Sequence, residues 1–430
     1  MKLTEKEKFI LEGKEGRLKQ VALENIVRYA DVLGAEELCE ITKATVFCGA
    51  HNYLNVCETN DFHELFSKMN LGKDEKIPFD KTYEKCYIQS CVSPCDQFEF
   101  EALHQSKEYF DKNSNFIDEC RKAGVTITGS CAPYLTGWLP IQGEHFVTTE
   151  SGVTTIGNSL WGAMGNSDGI EAAFWSAICG RTPKWGNHVK ENRYATHHVR
   201  IEADIDNLIE WDLLGKAIGM KLPTSSRPVV DGNFKNVDFT KLAQLFTTIS
   251  MASNCEICHV AGYTPEARDV EDAFKGHKSQ GEIIITNEDL QEAYDLMCDE
   301  GSADIEFVSL GCPHYNIDMI KKVAEYLEGK KIHSGVHFML WTVYPVKSMS
   351  DLNGYTKVIE EAGGKIYTSS CPTTVGNVFL DKYSNFVFDS YKQARSVKSD
   401  TDKPVYYGDM YNCMDAAIAG RWEENNRWKK

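Results

Sequence analysis

Three cysteines stand in short, helix-poor turns after β-prone runs. Cys131 lies in Gly-Ser-Cys-Ala-Pro-Tyr after residues 125–127, Cys312 in Leu-Gly-Cys-Pro-His-Tyr after residues 305–310, and Cys371 in Ser-Ser-Cys-Pro-Thr-Thr after residues 365–368. A proline follows each cysteine at once or one residue later. Proline fixes φ and cannot donate to a ladder, so such a turn ends a strand and holds the sulfur out of the sheet. Three thiolates carried on strand ends could meet at one sheet edge. Thiolates of this kind hold iron–sulfur clusters, and a cubane cluster commonly takes four of them. With three, one iron stays open as a Lewis acid toward a substrate hydroxyl or carboxylate. Hydroxide is a poor leaving group unless a metal stabilises it. A nearby base that takes the proton alpha to a carboxylate then completes a dehydration. Spacing alone leaves another reading open, because most of the fifteen cysteines read as buried small hydrophobes. That applies to Cys39, Cys86, Cys120, Cys179, Cys298 and Cys413, which lie in helix-like surroundings.

The elements that must position these residues alternate. Thr4-Glu-Lys-Glu has capping-box spacing, and a helix is expected over 16–33. Strands are expected at 44–47, 125–128 and 198–203, and helices at 97–123 and 168–179. The stretch 219–233 reads as loop, and a βα unit follows over 236–259. Strand and helix then alternate through 281–285, 287–299, 305–310, 318–327, 331–336, 352–362 and 365–368. That rhythm predicts an α/β chain of parallel sheets flanked by helices, with ligands bound where strands end. At 430 residues the chain is long enough for two or three domains. The expected division is an N-terminal α/β region, 1–220, carrying Cys131 and the Gly-rich loops, and a C-terminal one, 221–430, carrying Cys312 and Cys371.

Composition narrows the partners. A net charge of −17 argues against nucleic acid, which needs a basic face. The charged N-terminus does not read as a secretion leader, and no run of about twenty apolar residues offers a membrane span. Cysteine-rich and leaderless, the chain is expected in the reducing cytoplasm.

Longer motifs carry a resemblance. Gly129-Ser-Cys-Ala-Pro-Tyr-Leu, Pro140-Ile-Gln-Gly-Glu-His, Glu150-Ser-Gly-Val-Thr-Thr-Ile-Gly-Asn-Ser and the run from Gly180 to Arg193 come in that order. His259-Val-Ala-Gly-Tyr-Thr-Pro-Glu-Ala, Leu310-Gly-Cys-Pro-His, Ser370-Cys-Pro and Asp389-Ser-Tyr-Lys-Gln-Ala follow. Over nearly its whole length the chain resembles the catalytic region of the aconitase X family. The resemblance implies an aconitase-like fold without the small swivel domain, and an iron–sulfur hydro-lyase. The implied substrate is a small hydroxy acid like cis-3-hydroxy-L-proline or mevalonate 5-phosphate. Cys131, Cys312 and Cys371 become the implied ligands of a four-iron or two-iron cluster. A separate small subunit is implied as partner, expected to supply a serine base, so that the chain would need it for activity.

Further candidates follow from the motifs. Ser390 and Lys392 match the family's Ser-x-Lys segment and are candidates to handle a proton or a substrate carboxylate; the alternative is a solvated helix start. Glu150, Ser151, Asn158 and Ser159 border a Gly-rich run that could orient substrate, or form a turn or cap. Asn192 and Arg193 offer a carboxylate clamp through the planar guanidinium fork, or a surface ion pair. His259 and His314 could reach cluster sulfur or substrate, or be satisfied polar residues. Cys255-Glu-Ile-Cys258 has redox spacing but does not open a helix. Cys48 and Cys57 around His51, with Cys91 and Cys95, could form a second metal site or supply a fourth cluster ligand; the preferred reading is buried or incidental thiols. The chain departs from the family at Met164-Gly-Asn-Ser-Asp168 and near Trp341-Thr-Val-Tyr344, where arginines are expected. That predicts weaker grip on an anionic substrate, and so an altered substrate. Two other classes remain: a non-catalytic aconitase-fold protein that binds metal for structure or sensing, and a cysteine hydrolase pairing a loop thiol with His259 or His314.

Overall fold

The fold is that of a computed structural model, which describes residues 1–47, 86–89, 99–122 and 124–429. Cys48, His51, Cys57, Cys91 and Cys95 lie outside the described residues.

Short runs of Val, Ile and Phe become strands, and helices between many of the described strands provide the crossovers that parallel pairing needs. Three parallel sheets result. The first orders its strands Thr126–Ser130, Cys86–Gln89, Lys43–Phe47 and Phe146–Val147. The second runs Gly281–Ile285, His197–Ile201, Pro228–Gly232 and His259–Val260. The third has five strands in the order Lys365–Thr368, His337–Thr342, Phe307–Leu310, Phe386–Phe388 and Val405–Tyr407. Two antiparallel ribbons, Leu38–Glu40 with Arg181–Pro183 and Ala303–Asp304 with Arg421–Trp422, brace the first and third units. The expected α/β class is therefore the observed one. Residue 220 falls near the end of the helix Leu208–Lys221, and the second sheet takes strands from both sides of it.

The third sheet matters most for function. Its central strands are apolar on both faces, with Val308, Leu310, Leu340, Val387 and Phe388 all buried, as a sheet covered on both sides requires. Strand order reverses between Phe307–Leu310 and Phe386–Phe388, which opens a crevice beyond their carboxyl ends.

Several expected boundaries moved. The loop expected over 219–233 contains the strand Pro228–Gly232. Pro228 starts it, where a missing N–H is tolerated, and Gly232 lets it lie against Ile201. The strand expected over 331–336 is instead His337–Thr342, because the continuous apolar run Phe338–Trp341 is what the sheet buries. The helix expected over 352–362 is two, Tyr344–Leu352 and Tyr355–Ala362, broken at Gly354 with φ 77°. Cys39 lies on the strand Leu38–Glu40 and Cys86 on Cys86–Gln89, not in helices. Helices Leu208–Lys221 and Phe239–Ser253 pack closely because Gly215 has no side chain: an added Cβ would meet the Leu245 carbonyl oxygen at 2.9 Å.

Candidate functional site

Each loop cysteine follows a strand end, as its sequence context predicts. Cys131 follows Thr126–Ser130, Cys312 follows Phe307–Leu310, and Cys371 caps the short helix Pro372–Val375 after Lys365–Thr368. Before Cys312, Gly311 adopts φ 113°, and a Cβ there would lie 2.6 Å from the Trp341 carbonyl oxygen. Only glycine lets the chain turn this tightly over the neighbouring strand.

His314 ties the three loops together. Its Nδ1 lies 2.8 Å from Ser130 Oγ, beside Cys131, and its Nε2 lies 3.1 Å from the Ser370 carbonyl oxygen, beside Cys371. A carbonyl only accepts, so Nε2 carries the proton and Nδ1 accepts from the serine. Ser130 Oγ in turn accepts from the Ala132 amide at 2.9 Å. Burial drives the His314 imidazole down to about 4, so it is neutral. Both His314 nitrogens are thus engaged by the segments beside Cys131 and Cys371.

Seven of the ten cysteines with described side chains are buried, and only Cys131, Cys312 and Cys371 are part-exposed. Burial pushes the Cys312 thiol well up, Lys392 opposes this, and the sulfurs of Cys131 and Cys371 add to it. Three sulfurs that feel one another, free of disulfides and on separate loops, fit a shared metal cluster. Cys131 and Cys312 line one small cavity with Tyr134, Glu150, Thr247 and Lys392. Tyr134 and Pro313 also line a neighbouring small pocket, which shares Phe239, Thr240, Asn316 and Met319 with an open cleft of about 580 Å³. That cleft is rimmed by the helix-capping residues Asn207, Asp238, Asn316 and Asp409.

Charge in the cavity comes from a Lys392–Glu150 ion pair. Glu150 stands at the N-cap of Ser151–Leu160, where the helix dipole favours an anion. Lys392 lies in the first turn of Tyr391–Thr401, where the dipole disfavours a cation. Burial also works against its ammonium, but Glu150 and then the Cys312 and Cys131 sulfurs outweigh it and raise its pKa. Ser390, the N-cap of this helix, is buried, and its Oγ has no hydrogen-bond partner. Asp389 was missed in the sequence. It follows Phe386–Phe388 at the sheet's reversal point, accepts from the Gly311 amide at 3.2 Å and from the Tyr315 hydroxyl, and is pushed by burial to about 7. Its place at a strand end beside Ser390 is a signal that could have marked it.

The remaining candidates gather elsewhere. Arg193 is 1% exposed and binds Glu266 through Nε at 3.1 Å and through Nη2, Asn158 Oδ1 at 2.8 Å and the Asn158 carbonyl at 3.0 Å. Asn187 O accepts its remaining N–H at 3.4 Å. No donor is left to clamp a substrate. Asn158 also holds Gly165 and the Glu256 carbonyl; Ser159 Oγ accepts from the Cys258 amide at 2.9 Å. His259 Nε2 meets the Arg193 carbonyl at 2.8 Å. Asn192 is exposed and donates to the Gly186 carbonyl, and Ser151 meets Ser250. These residues weld segments together and do not line the cysteine cavity. His259, Ser151, Asn158, Ser159, Asn192 and Arg193 thus stand outside the lining of the cysteine cavity.

Met164 and Ser167 pair through backbone bridges with His145 and Thr148, and the segment 164–168 is absent from the cavity lining. Cys255 and Cys258 are buried, and burial raises both thiols, Cys255 to about 12; such thiols are unreactive. No helix among the described residues is long and apolar enough to cross a membrane.

Comparison with known proteins agrees with this geometry. Models of the first, second and third aconitase X domains match residues 1–191, 195–295 and 305–419. The phosphomevalonate dehydratase large subunit of Methanocaldococcus jannaschii is 28% identical over 419 residues, 95% of this chain and 98% of that protein. The cis-3-hydroxy-L-proline dehydratase of Hypocrea jecorina is 25% identical over 436 residues, 98% of this chain and 70% of that protein. The crystal structure of Thermococcus kodakaraensis aconitase X in its holo-form matches with a TM-score of 0.81 at 26% identity, over 97% of this chain and 100% of that one. With three domain models in chain order and a whole-length structural match, the chain belongs to the aconitase X family.

Proposed function

We propose that this chain is the large subunit of an iron–sulfur hydro-lyase that removes water from a small hydroxy acid. The observation that carries the reading is that Cys131 and Cys312 line a cavity holding the Lys392–Glu150 pair, with the Cys371 loop tied to theirs through His314. Three thiolates would hold the cluster, which when bound supplies a Lewis acid for the departing hydroxyl. The chain's own residues supply the rest. Lys392 offsets the negative charge of thiolates and substrate carboxylate. Asp389, raised to about 7, can exchange a proton near neutral pH. Ser390 Oγ, buried and unpartnered, offers a hydroxyl to substrate without first breaking a protein hydrogen bond. Tyr134 closes one wall of the cavity against water.

A separate small subunit is part of this proposal. It is supported by the near-complete overlap with a relative named as a large subunit and the 70% overlap with a longer dehydratase. The open cleft near the Cys312 loop is where such a partner would close the site. Cytoplasmic location and the choice between a four-iron and a two-iron cluster belong to the same proposal.

The test is anaerobic purification with the small partner, followed by iron, sulfide and visible absorbance. Cys131→Ala, Cys312→Ala and Cys371→Ala should each abolish the chromophore while circular dichroism is unchanged. A colourless, iron-free wild type overturns the proposal. Iron without turnover of any hydroxy acid would favour the metal-binding, non-catalytic reading.

A further inference from the structure

A second group of metal-ligating side chains lies outside the cysteine cavity. We propose that Cys39, His145 and His188 form a separate transition-metal site, suited to Zn2+, that staples the N-terminal unit. Their ligand atoms lie within 4.8 Å of one another. The two Nδ1 atoms are 3.0 Å apart, with the rings inclined at 42°. Zinc bonds of about 2.0–2.3 Å in a tetrahedron separate ligand atoms by roughly 3.3–3.8 Å, so small side-chain shifts close the site. One thiol and two imidazoles select zinc or a similar soft-to-borderline ion over Mg2+ or Ca2+.

Three independent segments present these ligands. Cys39 sits in the ribbon strand Leu38–Glu40, His145 immediately before Phe146–Val147, and His188 at the end of the turn Gly186–His188. All three are held by ordered backbone, so little entropy remains to oppose binding. The neighbourhood contains polar atoms that the protein leaves unpaired. His188 is 2% exposed, and its Nε2 has no partner. Asp168 Oδ2 is also buried without a partner, and its carboxyl is close enough to act on Cys39 electrostatically. Buried polar atoms are rarely left unsatisfied unless an ion or water belongs there. A cation held by Cys39, His145 and His188 gives the nearby Asp168 carboxylate an opposite charge and a candidate role as orienter of a metal-bound water.

The site makes no use of the iron ligands, and none of its residues lines the cysteine cavity. The competing arrangement needs no metal: one imidazole donates to the other, and Cys39 donates to the Thr182 carbonyl at 3.6 Å.

Elemental analysis separates the two. Wild-type chain, purified anaerobically and incubated with Zn2+ before desalting, should hold one zinc per chain in addition to its iron. Cys39→Ser keeps a donor for Thr182 but loses the thiolate, and His188→Ala removes an imidazole; both should lose that zinc while iron content and circular dichroism stay at wild-type level. Co2+ replacing the zinc should give intense thiolate-to-metal absorption in the wild type and none in Cys39→Ser. Absence of zinc from the wild type, or zinc and the cobalt band persisting in Cys39→Ser, overturns the proposal. Should His188→Ala fail to fold, the cobalt band of Cys39→Ser decides alone.

Discussion

Arg193 places every N–H of its guanidinium inside the protein, on Glu266, Asn158 and Asn187. In the sequence it read as a carboxylate clamp, because a guanidinium fork suits a substrate carboxylate and a protein carboxylate equally. What distinguishes them is where Glu266 lies, seventy-three residues on. Truncating one partner of a buried ion pair strands the other, so Arg193→Ala should cost about 3–5 kcal/mol in urea denaturation. Arg193→Lys should restore little, since an ammonium has three donors and no fork. Any turnover that survives should show an unchanged KM; a large rise in KM with intact stability would return Arg193 to the substrate site. Lys392 makes the opposite case. The motif singled it out, but its partner Glu150 lies 242 residues away, and no local pattern joins them.

At the scale of elements, the site is a meeting of strand ends. Proline after each cysteine made those ends readable, because a residue without an N–H cannot extend the ladder. The strands themselves belong to two different sheets, Cys131 to the first and Cys312 and Cys371 to the third. His314 bridges them from the loop after Phe307–Leu310. Removing it leaves Ser130 Oγ without its donor's target and the Ser370 carbonyl without a donor. His314→Ala should therefore destabilise the chain by about 1–3 kcal/mol. It should also weaken metal retention by about 10–100-fold, as loss of a ligand-orienting residue commonly does. Iron and sulfide per chain, followed during dialysis against a chelator, measure the second effect. Iron retention equal to wild type would show that the loops hold their geometry without the tie.

For the whole molecule, burial of ionisable groups sets a pH dependence. The Asp389 carboxyl is raised to about 7 in the fold, against about 4 in an unfolded chain. The folded state thus binds the extra proton, and this stabilising contribution is complete below pH about 4 and lost as pH rises toward about 7. His314 works on the acid side: lowered to about 4, it contributes stability above its unfolded value of about 6.5, lost as pH falls through about 4. Asp389→Asn removes the first dependence only. Its stability relative to wild type should therefore improve between pH 5 and pH 8 in urea denaturation, and a flat difference would contradict the Asp389 environment.

The amino-acid sequence by itself determined the α/β class, the strand-end cysteines and the family, because hydrophobic period, proline turns and ordered motifs are properties of local chain. Strand boundaries at Pro228 and His337 escaped it, since which apolar run is buried depends on the sheet that receives it. Tertiary structure alone decided which motif residues share the cavity. It set Glu150 and Lys392 in the cavity with Cys131 and Cys312, put Asp389 against the Gly311 amide, and gave His314, Arg193 and Asn158 hydrogen-bond partners in distant segments. The physical reason is that hydrogen-bonding capacity is finite. A polar side chain whose donors and acceptors are taken by distant segments has none left for a substrate, and only the folded chain shows which segments take them.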